Sequence, residues 1–118
     1  MTRSYRNNNP GNIVFGPFAR KYGGVLEDGD NPRFAKFYTA IGGTWALVSL
    51  LSGPNYINLT IKQAISRYAP SNENDTNAYV QFVCNYASLS PLITLAEMNA
   101  LQFLEFVKAI IKREGYKE

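Results

Sequence analysis

From Thr39 onward apolar residues recur at three- and four-residue spacing, the period of a helix face. Residues 7–32 show no such period; they carry most of the glycines, several prolines and only two short apolar runs, Ile13-Val14-Phe15 and Val25-Leu26. Between these regimes Arg33-Phe34-Ala35-Lys36-Phe37-Tyr38 alternates basic or small residues with aromatics, as a half-buried strand does, and can pair with the Ile13 or the Val25 segment. Ile41, Trp45 and Val48, with Leu47 or Leu51, mark the apolar face of a first long helix that Gly53-Pro54 stops. Thr60 and Gln63 form a capping-box pattern for a second, through Ile61, Ala64, Ile65 and Tyr68 to Ala69-Pro70. Asp75 or Thr76 caps a third, running to about Ala87. Thr94 and Glu97 form another box, opening a last helix over residues 95–114; it would be roughly 30 Å long and, apolar on several faces, belongs at the centre of a bundle. The pattern predicts an α+β, mainly α fold: a helical bundle with a small antiparallel sheet.

At 118 residues the chain has room for one compact core, so residues 1–118 are read as a single domain. An apolar share of 46% against 18% charged residues excludes disorder. With no His, a Ser-His-Asp triad, a Cys-His pair and a His-ligated zinc site are excluded; no metal or cofactor is expected. Cys84, among Phe82, Val83 and Tyr86, is read as an inert buried thiol. Met1-Thr2-Arg3-Ser4-Tyr5-Arg6 runs into polar Asn residues, so no Sec-type signal peptide is expected. Glu97, Glu105 and Lys108 interrupt the most apolar stretch, which argues against a membrane span. The +3 charge is mild and scattered, which does not indicate nucleic acid as a partner, though a basic surface suits the anionic bacterial wall.

Without His, acid-base chemistry near neutral pH falls mainly to carboxylates. Glu97 reads as a cap, Glu105 as part of a polar helix face, Asp28 and Asp30 as turn residues, and Asp75 as a cap. Glu114 is different: Ile110, Val107 and Phe103, four, seven and eleven residues before it, form the apolar stripe of its helix. Its carboxyl would emerge where the core ends, and partial desolvation favours the protonated form that a glycosidic general acid needs. The alternative is a frayed, solvated end beside Lys112, Arg113 and Lys117. Glu73, in a polar loop with Asn72, either favours the following helix N-terminus or lines a cleft that binds sugar hydroxyls and acetamido groups, with Tyr68 as a stacking surface. Glu27 is either a surface-turn residue or a second acid that orients water. Tyr5, Tyr22, Tyr38, Tyr56 and Trp45 are candidate sugar platforms, although Trp45, on an apolar helix face, is expected in the core.

Four motifs carry a resemblance over almost the whole chain. Arg6-Asn7-Asn8-Asn9-Pro10-Gly11-Asn12-Ile13, then Arg33-Phe34-Ala35-Lys36-Phe37 leading to Gly42-Gly43-Thr44-Trp45-Ala46, then Thr60-Ile61 through Arg67-Tyr68-Ala69-Pro70, then Glu73-Asn74-Asp75-Thr76 with Tyr79, resemble a family of small phage and prophage proteins described as virion structural or lysozyme-like. A more distant resemblance is to the lysozyme-like superfamily of glucosaminidases and lytic transglycosylases. There a helix ends in a catalytic Glu, and an Asn-Asn-x-x-Gly-Ile-like turn then leads into a small sheet. Asn8-Asn9-Pro10-Gly11-Asn12-Ile13 resembles that turn, and Ala109-Ile110-Ile111-Lys112-Arg113-Glu114-Gly115 resembles the end of that helix, with Gly directly after the Glu. The order implies a circular permutation that sets Glu114 beside Asn8.

The resemblance implies a lysozyme-like bundle that cleaves peptidoglycan glycan strands as a muramidase, glucosaminidase or lytic transglycosylase. Glu114 would be the general acid, Glu27 or Glu73 a second acid, and Asn8, Asn9, Asn12, Tyr68 and Asn72 the sugar-binding set. The expected partners are bacterial peptidoglycan and other virion proteins, in a phage virion or at the bacterial cell wall. The rival expectation is a non-catalytic virion component that binds wall glycan or serves a structural role.

Overall fold

The computed structural model describes residues 1–117, and they gather into two compact units: Met1–Leu50 with the stretch from Glu114, and Leu51–Arg113. Among the described residues there are six α-helices and one two-stranded antiparallel sheet, an α+β and mainly α fold.

The first unit opens with α1 (Arg3–Arg6), a single turn in which Thr2 Oγ1 accepts from the Tyr5 N–H. The chain then winds through residues 7–13 with Asn8 and Asn12 in the left-handed region, at φ 50° and 51°, a conformation that Asn tolerates better than most residues. After the one-turn α2 (Pro17–Lys21), β1 (Val25–Leu26) pairs with β2 (Ala35–Lys36), Val25 opposite Lys36 and Leu26 opposite Ala35. The Ile13 segment joins the same ribbon: Val14 bridges Phe34, and the Ala35 N–H donates to the Ile13 carbonyl. The alternating 33–38 segment therefore takes both of its candidate partners, one on each edge.

α3 (Ala40–Leu51) begins at Thr39, whose Oγ1 accepts from the Gly42 N–H. Its buried residues are Gly43, Ala46, Leu47 and Leu51, while Ile41 is 83% exposed and Trp45 64% exposed. Of the expected face, Leu47 and Leu51 are buried and Val48 is half-buried, whereas Ile41 and Trp45 turn outward. A close backbone approach explains this: a Cβ on Gly43 would stand 2.0 Å from the Asn8 carbonyl oxygen and 3.0 Å from Pro10 Cδ, so small residues, not the bulkiest ones, mark the packed side.

In the second unit α4 (Ile61–Tyr68) starts at a complete capping box of Thr60 and Gln63, and α5 (Thr76–Ala87) is capped by Asp75 and ends on left-handed Ser88. α5 packs on α4 and on α6 (Ala100–Arg113). The Thr94–Glu97 capping box also forms, but it opens only a 3-10 turn over Leu95–Glu97. The Leu95 and Ala96 amides donate to the Leu59 and Ile57 carbonyls, Met98 is extended, and Asn99 and Gln102 form a second reciprocal cap from which α6 starts. The last helix is therefore 14 residues, about 21 Å, in place of the longer one expected. It buries Phe106, Val107, Ala109 and Ile110 and exposes Leu101 and Leu104, so one face and not the whole circumference meets the core. The Arg113 guanidinium lies over the Tyr79 and Phe82 rings at 5.3 and 5.7 Å and fixes the end of α6.

Candidate functional site

Within the first unit the start of the chain meets the residues that follow α6. Ser4 Oγ, buried, donates to the Glu114 carbonyl at 3.1 Å, and Thr2 Oγ1 donates to the Gly115 carbonyl at 2.9 Å. Gly115 is left-handed at φ 79°, and the Tyr5 and Tyr116 rings approach to 5.5 Å. These contacts turn the half-buried Glu114 side chain toward the Asn-rich segment, where Asn12 Nδ2 donates to Glu114 Oε1 at 2.9 Å. A carboxyl oxygen that carries no proton can only accept, so it is the nitrogen end of the Asn12 amide that meets Glu114 Oε1. The other end of the amide, Oδ1, is buried and has no hydrogen-bond partner among the described residues. A buried acceptor left in this way favours any donor brought to it.

The neighbouring Asn9 and Asn8 bond elsewhere within the unit. Asn9 is fully buried: its Nδ2 donates to the Ile13 and Ala35 carbonyls, both at 2.9 Å, and its Oδ1 accepts from the Ile13 N–H at 2.9 Å. It ties the turn to β2 and presents no polar atom to a sugar, which corrects its expected binding role. Asn8 Nδ2 donates to the Phe37 and Tyr38 carbonyls at 3.1 and 3.2 Å, so its donor is directed into the chain beyond β2. Of the three asparagines expected to orient sugar, Asn12 makes the bond to Glu114.

Glu27 is not a surface-turn residue; it is 5% exposed. Its Oε1 accepts from Asn7 Nδ2 at 3.0 Å and pairs with Arg3 Nε at 3.2 Å, and its Oε2 accepts from the Arg33 and Phe34 N–H groups at 3.0 and 2.8 Å. Burial pushes its pKa up, but the Phe34 N–H, the Asn7 amide, the Arg33 N–H and the Arg3 charge together outweigh burial and hold it at about 2. The Arg3 and Arg33 guanidiniums both lie 5.0 Å from the Phe34 ring centre. Glu27 is therefore a clasp across the 27–34 loop that is ionised at neutral pH, with both oxygens engaged and no proton to give there.

Glu73, Asn72 and Tyr68 belong to the second unit. Glu73 and Asn72 are exposed in the loop before α5, where the Glu73 N–H donates to the Pro70 carbonyl. Tyr68 is half-buried at the end of α4, its ring edge-on to Tyr56 at 6.4 Å. Cys84 is half-buried and burial pushes its thiol pKa up, the opposite of an activated nucleophile. Among the described residues no group of three or more Cys, Asp or Glu side chains is gathered to hold a metal ion, and no helix is long and apolar enough to cross a membrane.

Thr2, Arg3 and Ser4 were not singled out by the sequence pattern, yet Arg3, with Asn7, holds the Glu27 carboxylate, and Thr2 and Ser4 hold the main chain at Gly115 and Glu114. The one available signal was Thr2, a helix-capping residue ahead of a short polar turn.

No family model matches the chain. It is similar to a phage protein, Protein P5 of Pseudoalteromonas phage PM2, with 37% identity over 90 residues that cover 70% of this chain. The matched stretch spans 54% of that protein's length, about half of it.

Proposed function

We propose that the chain acts on the glycan strands of bacterial peptidoglycan, with Glu114 protonating the leaving oxygen of the bond between N-acetylmuramic acid and N-acetylglucosamine. The observation that carries this reading is the 2.9 Å bond from Asn12 to Glu114, which joins the Asn-rich turn to a half-buried carboxyl from the far end of the sequence. Because Oε1 accepts from Asn12, the proton that a general acid delivers sits on Oε2, and the amide fixes the plane of the carboxyl. Asn12 Oδ1, buried and unpaired among the described residues, is an acceptor suited to an acetamido N–H or a sugar hydroxyl.

Glu27 is ionised and fully engaged, so it supplies neither the acid nor a water-activating base. That favours a single-carboxyl course. Glu114 gives its proton to the leaving oxygen as the C1–O4 bond breaks. The resulting carboxylate then takes the proton of the muramic acid C6 hydroxyl as O6 bonds to C1. A 1,6-anhydro ring closes, Glu114 is protonated again, and no water is consumed, which is the lytic transglycosylase outcome. The protein would work at the bacterial cell wall as part of a phage or its lytic equipment, in keeping with its phage relative.

Turbidity clearing of purified peptidoglycan by wild type and by Glu114→Gln tests the reading. Clearing by wild type, lost in the variant, with anhydro ends in the product, is expected. Equal clearing by both would remove Glu114 from the mechanism. A second reading, a non-catalytic phage protein that binds wall glycan or other virion proteins, is favoured by the internal use of Asn8 and Asn9; it predicts no clearing by correctly folded wild type.

A further inference from the structure

The second unit carries an open groove of about 560 Å³ whose lining includes Leu59, Lys62, Ser66, Arg67 and Leu92. Two cations and no acid line it. Lys62 and Ser66 lie one turn apart on the exposed side of α4, because Ile61, Ala64 and Ile65 take the core side. The Arg67 guanidinium is oriented in advance: Nη1 donates to the Asn55 carbonyl at 2.9 Å, and the group lies 5.9 Å from the Tyr56 ring centre. Anchoring of this kind reduces the freedom lost when a carboxylate meets its other N–H groups. Leu92, 72% exposed, is an apolar wall.

The segment beside this groove leads directly to a face of α6 with the complementary character. The Ile61 and Lys62 amides donate to the Ile93 and Pro91 carbonyls, and the Leu95 and Ala96 amides to the Leu59 and Ile57 carbonyls. Residues 91–97 therefore lie along residues 57–62, and α6 starts just beyond them. On α6, Leu101 and Leu104 are 68% and 52% exposed, and Glu105, four residues after Leu101, shares their side of the helix. Glu97, one turn before Leu101, is exposed as well. Lys108 meets Glu105 only at 3.5 Å, an exposed pair of little strength. Leucines flanked by acids thus adjoin a groove with a leucine wall and two cations, the pattern of an interaction surface. We propose that this face joins two copies of the chain about a two-fold axis, with the Leu101–Leu104 ridge of each copy seated in the α4 groove of the other. Neighbouring complementary halves suit that symmetry: each copy gives a ridge and receives one, so the contact closes at two. The pairing is independent of the glycan reading, since none of its residues belongs to the first unit.

Sedimentation velocity of the full chain, from micromolar to millimolar concentration, tests the pairing, with circular dichroism to confirm that each variant is folded. The expected result for wild type is a reversible monomer–dimer equilibrium. Leu101→Ser removes an exposed apolar contact, and Lys62→Glu reverses a charge in the groove. Each residue is used twice at a two-fold contact, so either substitution should weaken dimerisation roughly tenfold or more. Adding Glu105→Lys to Lys62→Glu restores opposite charges across the contact and should recover most of the lost affinity, a rescue that a merely destabilised chain would not show. Wild type that stays monomeric at every concentration would overturn the proposal, as would dimers that Leu101→Ser and Lys62→Glu leave intact. Assembly that continues past two copies would overturn the two-fold arrangement.

Discussion

Asn12 and Glu114, 102 residues apart in sequence, are joined by a 2.9 Å hydrogen bond from an amide to a carboxyl oxygen. The bond does not stand alone. Ser4 and Thr2 grip the main chain of Glu114 and Gly115 from the other side, so main chain and side chain of the acid are positioned by different segments of the same unit. Asn12 itself is left-handed, at φ 51°. Removing its amide without straining the turn therefore calls for glycine and not alanine. Asn12→Gly is expected to cost about 1 kcal/mol of stability, read from urea unfolding. Loss of carboxyl orientation should lower peptidoglycan clearing on the order of tenfold. Full clearing by a folded Asn12→Gly protein would show that Glu114 does not depend on this bond.

The Glu27 clasp makes a prediction about pH. Its folded pKa of about 2 lies below the ordinary value of 4.5, so the ionised form is the one the fold favours. The stability this adds is fully present above pH 4.5 and is lost as pH falls from 4.5 toward 2. Urea midpoints measured through that window should decline in wild type and decline less steeply in Glu27→Gln. Glu27→Ala leaves the Arg33 and Phe34 amides, the Asn7 amide and Arg3 without their acceptor, and should cost roughly 3–5 kcal/mol at pH 7. Parallel acid profiles for wild type and Glu27→Gln would place the acid-sensitive group elsewhere.

Two adjacent glycines should behave in opposite ways. A methyl group at Gly43 would sit 2.0 Å from the Asn8 carbonyl oxygen, backbone that cannot yield without moving the turn that holds Asn12. Gly43→Ala should therefore cost about 3 kcal/mol or more and lower clearing in step with unfolding. At Gly42 the nearest atom to an added Cβ is Thr39 Oγ1, a side-chain atom at 3.3 Å. There the gain in helix propensity, up to about 1 kcal/mol, should leave Gly42→Ala neutral or more stable in thermal melts. Equal destabilisation at both positions would contradict the close approach of α3 to Asn8.

The elements that were legible in the sequence are those whose signals are local. Thr60 with Gln63 and Asp75 before α5 cap helices where the pattern put them, because capping needs only residues three apart. The Thr94–Glu97 box was equally readable, and it forms, but its turn sends its amides to Ile57 and Leu59 and stops at Met98. No local pattern announces that competition. Trp45 was misplaced for a related reason: periodicity finds an apolar face, and here Gly43, Ala46 and Leu47 take the packed side and leave Ile41 and Trp45 outside, because the Asn8 main chain comes too close for any side chain at position 43. In the candidate site, Glu114 was visible as an acid at the end of an apolar stripe, and Asn12 through its resemblance to a known turn. The different use of neighbouring asparagines was not legible. Asn9 and Asn12 are chemically identical, and only the tertiary position of Ile13 and Ala35 makes the first a buried tie and leaves the second a donor for Glu114.

The single-carboxyl course makes its own demand on Glu73. This residue is exposed in the loop ahead of α5, with Asp75 already serving as the helix cap, so neither burial nor capping depends on its charge. Glu73→Gln should leave stability within about 0.5 kcal/mol of wild type. If Glu114 acts as both acid and base, the variant should also clear peptidoglycan at an unchanged rate and give the same anhydro ends by mass spectrometry. A hydrolytic mechanism with Glu73 as the second carboxyl makes the contrary prediction. Wild type would then release reducing muramic acid ends that carry oxygen from labelled water, and Glu73→Gln would lose that activity by a factor of 100 or more on the order expected for removing a general base. The mass of the product end thus separates the two courses independently of the rate, since ring closure leaves the sugar lighter by one water and takes up no label.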